Sequence, residues 1–142
     1  MSPAQAFSLA NMVALITWLT LVVFQRRAWA RDRVVPVAVA LFATAYATII
    51  VTRWGQGDGG FDTLEGVSRL FADPWLLLAG WLHYLAFDLL VGRWEAADAA
   101  SRGIRWWLVA PCLGLTFMFG PAGWLGYMLV RRVAPLRSAS GA

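Results

Sequence analysis

The sequence predicts an all-α membrane protein, a four-transmembrane-helix bundle with a short interfacial helix between crossings two and three. Three observations carry this. Apolar residues fill 60% of the 142 positions and charged residues only 14%, with a mean hydropathy of +0.61; that is about half the charge of an ordinary soluble domain. Four apolar stretches reach the roughly 20 helical residues that a hydrocarbon core of about 30 Å demands. The net charge of +4 rests wholly on arginine, with no lysine, and the arginines cluster between the apolar stretches as topology signals do. This profile excludes a disordered chain, a soluble nucleic-acid binder and a disulfide-stapled module. The partner it implies is the lipid bilayer, with no nucleic acid. A lone cysteine, Cys112, and a lone histidine, His83, exclude an internal disulfide and make a zinc or iron site within one chain improbable.

The first crossing runs from Phe7 to Phe24 with no charged side chain before Arg26. Asn11, Trp18 and Gln25 recur at intervals of seven, which places them on one face that meets other helices, with Asn11 able to reach a partner. Ala28-Trp29-Ala30 has the small-x-small look of a cleavage site, but a signal peptide carries its charge before the apolar run and these arginines follow it. The second crossing, Val34 to Thr52, opens with Pro36 in its first turn. Thr44 and Thr48 share a face and can bond back to their own helix; Tyr46 lies elsewhere.

The loop from Arg53 to Asp73 holds Gly55, Gly57, Gly59 and Gly60, a flexible turn and not a phosphate cradle. After it, Asp62 is expected to cap a short helix whose apolar stripe, Leu64, Val67, Leu70 and Phe71, lies along the membrane surface. The third crossing runs from Pro74 to Val91. The fourth runs from Trp106 to Val130 and is expected to kink at Pro121, which cannot donate to the carbonyl of Phe117. Its Gly114, Gly120, Gly123 and Gly126 suit a groove for a neighbouring helix or a flat, long ligand. Residues 1–133 thus form one transmembrane domain, and 134–142 a Ser/Gly/Pro-rich tail expected to be disordered. Six of the nine tryptophans fall near predicted crossing ends, where an aromatic belt belongs. Trp18, Trp81 and Trp124 fall inside and need packing or a ligand.

Orientation follows from the arginines of short loops. Loops one and three hold seven, and loop two with the tail holds five. Four crossings with the seven inside place both termini outside, in the periplasm of a bacterial inner membrane, by a margin of two charges.

The chemistry-bearing residues lie on the third crossing. Asp88 sits within the apolar span, where an acidic side chain costs about 2.5–3.5 kcal/mol on insertion scales. Trp81, Tyr84 and Asp88 fall within about 60° of one another, continued by Gly92 and Glu95, and Tyr84 is one turn from Asp88. His83 points about 140° away, toward Phe87 and Trp94. Two readings stay open: Asp88 as a buried general acid with Tyr84 as its hydrogen-bond partner, or Asp88 as a polar tie between helices. His83 divides the same way between a catalytic or ligand contact and a structural hydrogen bond. Arg93 and Glu95 read as an interfacial pair beside Trp94, anchoring the membrane edge or binding a polar ring end. Phe117 and Trp124, around the expected kink, suit an apolar polyene or plain lipid.

DPWLLLAGWLHYLAFDLLVGRWEAADA followed by PCLGLTFMFGPAGWLGYML resembles the abscisic-acid-deficient-four-like family, whose plant members are plastid membrane proteins needed to make neoxanthin, an allenic carotenoid, from violaxanthin. The resemblance covers Asp73 to about Tyr127; the first two crossings match in hydropathy alone. It implies a four-helix, carotenoid-linked membrane protein, and the absence of a transit peptide points to a bacterial member. The reaction it implies opens a 5,6-epoxide to an allenic alcohol. A proton goes to the epoxide oxygen and another leaves a polyene carbon, so the step requires no redox cofactor and no metal. Asp88 as acid, Tyr84 as relay and His83 as base are the assignments this implies. Trp81, Phe87, Arg93, Glu95, Phe117 and Trp124 are the candidate ligand contacts. The reading is therefore an isomerase-like enzyme of an oxygenated polyene, needing no cofactor. The alternative is a non-catalytic pigment-binding or assembly subunit of a membrane complex. The partners expected are a carotenoid or other long apolar ligand, the bilayer, and either a second copy through the glycines of the fourth crossing or a membrane-complex partner. Against a small transporter, the chain has no detectable inverted repeats and too few intramembrane charges for an ion path.

Overall fold

A computed structural model describes residues 1–55 and 59–134; Gly57 and the predicted tail beyond Ala134 lie outside the described residues. Among those described the chain is wholly helical. The elements are α1 (Pro3–Val23), α2 (Val35–Arg53), α3 (Leu64–Leu70), α4 (Pro74–Ser101), α5 (Trp106–Phe119) and α6 (Pro121–Val133), and a π-helical turn, Ala30–Val34, runs directly into α2. Among the described residues three segments are long and apolar enough to cross a membrane: Pro3–Val23, Ala30–Arg53 and Pro74–Ser101.

The predicted fourth crossing is corrected. Gly120 stands at φ +48°, ψ −103°, a left-handed conformation that a residue with a Cβ enters only with strain. Pro121 then takes the first position of α6, where its missing N–H costs nothing. The Gly-Pro pair ends one helix and begins another instead of kinking a single one. With 14 and 13 residues, α5 and α6 are each about 20 Å long, short of the roughly 30 Å of a hydrocarbon core.

Contacts divide the chain into two compact units, Met1–Leu15 with Ala38–Phe87, and Ile16–Val37 with Asp88 onward. In the first, Trp81 Nε1 donates to Asn11 Oδ1 at 2.9 Å, the partner the α1 face called for, and Phe7 packs on the same indole at 5.4 Å between ring centroids. Thr44 and Thr48 donate back to the carbonyls of Ala40 and Thr44, each at 2.8 Å. The expected surface helix forms as α3, but its cap is Thr63, whose Oγ1 accepts from the Gly66 amide at 3.0 Å, and not Asp62. Leu70 is buried and Leu64 exposed, so the stripe is only partly used.

In the second unit Trp18, 2% exposed, packs on Phe117 with centroids 5.6 Å apart and fills the space left by Gly92. A Cβ at Gly92 would stand 2.5 Å from Trp18 Cη2. Gly92→Ala is therefore expected to cost about 2 kcal/mol by overpacking. It should lower the melting temperature in detergent, and Trp18→Leu in the same chain should restore most of the loss. Equal melting of Gly92→Ala and wild type would refute the contact. The loop after α1 is tied to α4: Arg93 Nε donates to the Arg31 carbonyl, and its Nη2 to Asp32 Oδ1, both at 2.9 Å.

α6 folds back along α5. A Cβ on Gly123 would overlap the backbone nitrogen of Thr116, which stands seven residues earlier and about 10 Å away in a continuous helix. The glycines therefore do not form one groove. Gly120 makes the turn, Gly123 closes the hairpin, and the positions of Gly114 and Gly126 have nothing within 4 Å of an added Cβ.

Candidate functional site

The first unit contains a cavity of about 530 Å³ walled by α2, the loop after it, α3 and α4, within the size range of small-molecule sites. Its shape follows from local choices. Gly80 lets the Phe71 ring approach to where a Cβ would stand 3.0 Å away, and Trp54 stacks on Phe61 at 5.6 Å. Leu76 and Ala79 continue the apolar wall. Two lining side chains can exchange protons, Tyr46 on α2 and His83 on α4. Their rings lie 5.9 Å apart, and the outer face of His83 stacks on Phe87 at 4.4 Å. His83 and Phe87 are exposed residues of α4, on the side of the helix that periodicity gave them.

The second unit carries the carboxylates of α4, each engaged by the α5–α6 hairpin. Asp88 is buried beside the turn, where a Cβ on Gly120 would stand 3.0 Å from its Oδ1. Glu95 is fully buried, and the Thr116 hydroxyl donates to its two oxygens at 3.0 and 3.1 Å. Asp98 is a hub. Tyr127, fully buried, donates to Oδ2 at 2.7 Å, Arg102 Nε lies 2.9 Å from both oxygens, and Arg131 Nε pairs at 3.1 Å. Trp94 meets the Tyr127 ring edge-on at 5.7 Å, and the Arg131 guanidinium lies over the indole at 5.7 Å. These bonds lock three helices together, and Glu95 and Asp98 are committed to protein partners before any ligand arrives.

The predicted site residues separate accordingly. His83 lines the cavity and Phe87 backs it. Trp81 is held by Asn11, and the Tyr84 ring lies 5.2 Å from it; neither Tyr84 nor Asp88 lines the cavity. The Arg93–Glu95 pair is corrected: Arg93 pairs with Asp32, whereas Glu95 turns inward to Thr116, two residues on a helix pointing about 200° apart. Phe117 packs on Trp18, and Trp124 is 40% exposed. Sequence reasoning missed Tyr46, Asp98, Thr116 and Tyr127. A phenol in the middle of an apolar crossing was the available signal for Tyr46. Asp98 and Tyr127 meet through the fold-back of α6, and Thr116 meets Glu95 through the packing of α5 on α4, neither of which spacing announces.

Comparison with known proteins bears on both units at once. No curated protein and no solved structure matches the chain. The model of the ABA DEFICIENT 4-like family matches residues 5–127, which take in nearly all of α1, the whole of α2 to α5, the first half of α6 and every group described above except Arg131. The chain belongs to the ABA DEFICIENT 4-like family.

Proposed function

We propose that the protein is an integral membrane isomerase of an oxygenated or epoxidised polyene, working without net oxidation or reduction. Membership links the chain to neoxanthin synthesis, and three membrane-length apolar helices suit so apolar a substrate. The observation that carries the catalytic part is the aromatic cavity with His83 and Tyr46 on one wall system. A ring end group enters an apolar, aromatic-lined space. One of the two groups delivers a proton to the epoxide oxygen as its carbon–oxygen bond breaks, and the other takes a proton from the adjacent polyene carbon. The electron pair of that carbon–hydrogen bond becomes the new allenic double bond, so atoms and electrons balance. This reading keeps His83 and puts Tyr46 in place of Asp88 and Tyr84, because His83 and Tyr46 face the same open volume. Asp88 then serves as an anchor for the Gly120 turn.

The test is pigment chromatography with absorption spectra, before and after expression in an epoxycarotenoid-producing host. An allenic product is expected. His83→Asn should lower its formation about 10²–10⁴-fold, the worth of one positioned acid–base group, while pigment still co-purifies. Tyr46→Phe should act in the same direction, and Asp88→Asn should retain turnover in the folded fraction. Pigment bound without conversion by the wild type would favour a binding or assembly subunit. Neither product nor bound pigment would remove the carotenoid substrate.

A further inference from the structure

We infer that α5 and α6 form a re-entrant hairpin that enters the membrane from the arginine-rich side and returns to it, so that the N- and C-termini lie on opposite sides with the C-terminus in the cytoplasm. The contacts of the second unit set the direction of each arm. Along α4, Asp88 faces Gly120, Glu95 faces Thr116, and Asp98 faces Tyr127 and Arg131. Passing from Asp88 to Asp98 covers about 15 Å of helix, and Gly120 to Arg131 about 16 Å. α6 therefore runs parallel to the second half of α4 and ends beside its C-terminus, where α5 began. Asp88 is the midpoint of α4, with 14 residues before it and 13 after. The turn thus reaches half the length of a membrane-spanning helix and goes no further.

Gly120, the non-helical residue between α5 and α6, meets the condition for backbone at that depth, which is burial in protein with its polar groups satisfied. Gly120 is buried, its N–H donates to the Thr116 carbonyl at 2.9 Å, and its carbonyl accepts from Gly123 at 3.0 Å. The Asp88 carboxylate stands beside the N-terminal end of α6, where the helix dipole favours negative charge.

Charge supplies an independent argument. Four crossings divide the arginines seven to five, almost no bias. Three crossings and a hairpin bring the loop after α1, the end of α4 and the end of α6 to one side. That side then holds ten of the twelve arginines, leaving Arg53 and Arg69 on the other. Arg93 ties the loop after α1 to α4 directly, through Asp32. A ten-to-two division is a strong orientation signal, and the basic side faces the cytoplasm.

The test is accessibility of single cysteines in the full chain, with Cys112→Ala as background, expressed in a bacterial inner membrane and probed in spheroplasts with a membrane-impermeant maleimide. Ser2→Cys and Asp62→Cys should label in intact spheroplasts. Ala28→Cys and Ala134→Cys should label only after lysis, which also verifies that each variant is present. A fluorescent protein that matures only in the cytoplasm, fused after Ala142, should fluoresce. Ser2→Cys and Ala134→Cys labelling on the same side would overturn the hairpin in favour of four crossings. Labelling on opposite sides with Ala134→Cys outside would overturn the cytoplasmic assignment. Loss of carotenoid conversion leaves these outcomes unchanged, so the topology and the proposed reaction fail separately.

Discussion

Gly123→Ala is expected to destabilise the protein by about 3 kcal/mol or more, whereas Gly126→Ala is neutral or stabilising. In a plain helix both changes favour the folded state by up to about 1 kcal/mol, because alanine loses less backbone freedom on folding. The surroundings reverse the sign at one of them. A Cβ at Gly123 overlaps the backbone of Thr116, and backbone cannot rotate aside as a flexible side chain does. At Gly126 an added Cβ has nothing within 4 Å. Opening the hairpin to admit the methyl would also pull Tyr127 from Asp98 and shift Gly120 against Asp88. The measurement is the melting temperature and monodisperse yield of the two variants in one detergent at one heating rate, since membrane proteins often unfold irreversibly. Indistinguishable melting of the two variants would show that α6 does not pack on α5 in this way.

The helices were legible in the sequence because their causes are local. The apolar runs of α1, α2 and α4 are long enough to meet a bilayer's requirement by length and composition alone, and the arginines mark their ends. Faces followed from periodicity, so Asn11 found its cross-helix partner and His83 fell on the side of Phe87. The hairpin was not legible. A 25-residue apolar stretch satisfies the length criterion whether or not it is continuous, and proline within it signals a bend without giving the angle. The deciding datum is the φ of Gly120, a backbone state that glycine permits and does not require. Because the fold-back was hidden, so was the Tyr127 bond to Asp98 that it creates, and the packing of α5 on α4 that turns Glu95 inward to Thr116 was not announced by spacing either. The two-residue spacing of Arg93 and Glu95 already argued against their pairing, since such neighbours point to opposite sides of a helix.

Thr116→Val tests a fully buried polar contact, and its expected cost is about 2–3 kcal/mol. Valine keeps the shape of threonine and removes one hydroxyl, so the change isolates a hydrogen bond from packing. Both partners are fully buried. The Glu95 carboxyl loses the donor that Thr116 supplies, and water cannot enter to replace it. A buried charged-type acceptor stripped of its donor carries its whole desolvation cost, which exceeds the worth of an ordinary hydrogen bond. Glu95→Gln should cost under about 1 kcal/mol, because an amide oxygen still accepts from Thr116. Thr116→Val combined with Glu95→Met should recover most of the single-variant loss, since removing both members of a buried polar pair is far milder than removing one. For a chain of this length 1 kcal/mol corresponds to about 3 °C in melting temperature, so the three variants should separate cleanly. If Thr116→Val melts with the wild type while Glu95→Gln falls, the threonine is not the partner that holds Glu95. If the double variant is as unstable as Thr116→Val alone, the loss comes from packing and the bond contributes little. The order expected here, with the single hydroxyl deletion worst, follows only if Glu95 and Thr116 are sealed from water between α4 and α5, as their full burial has them.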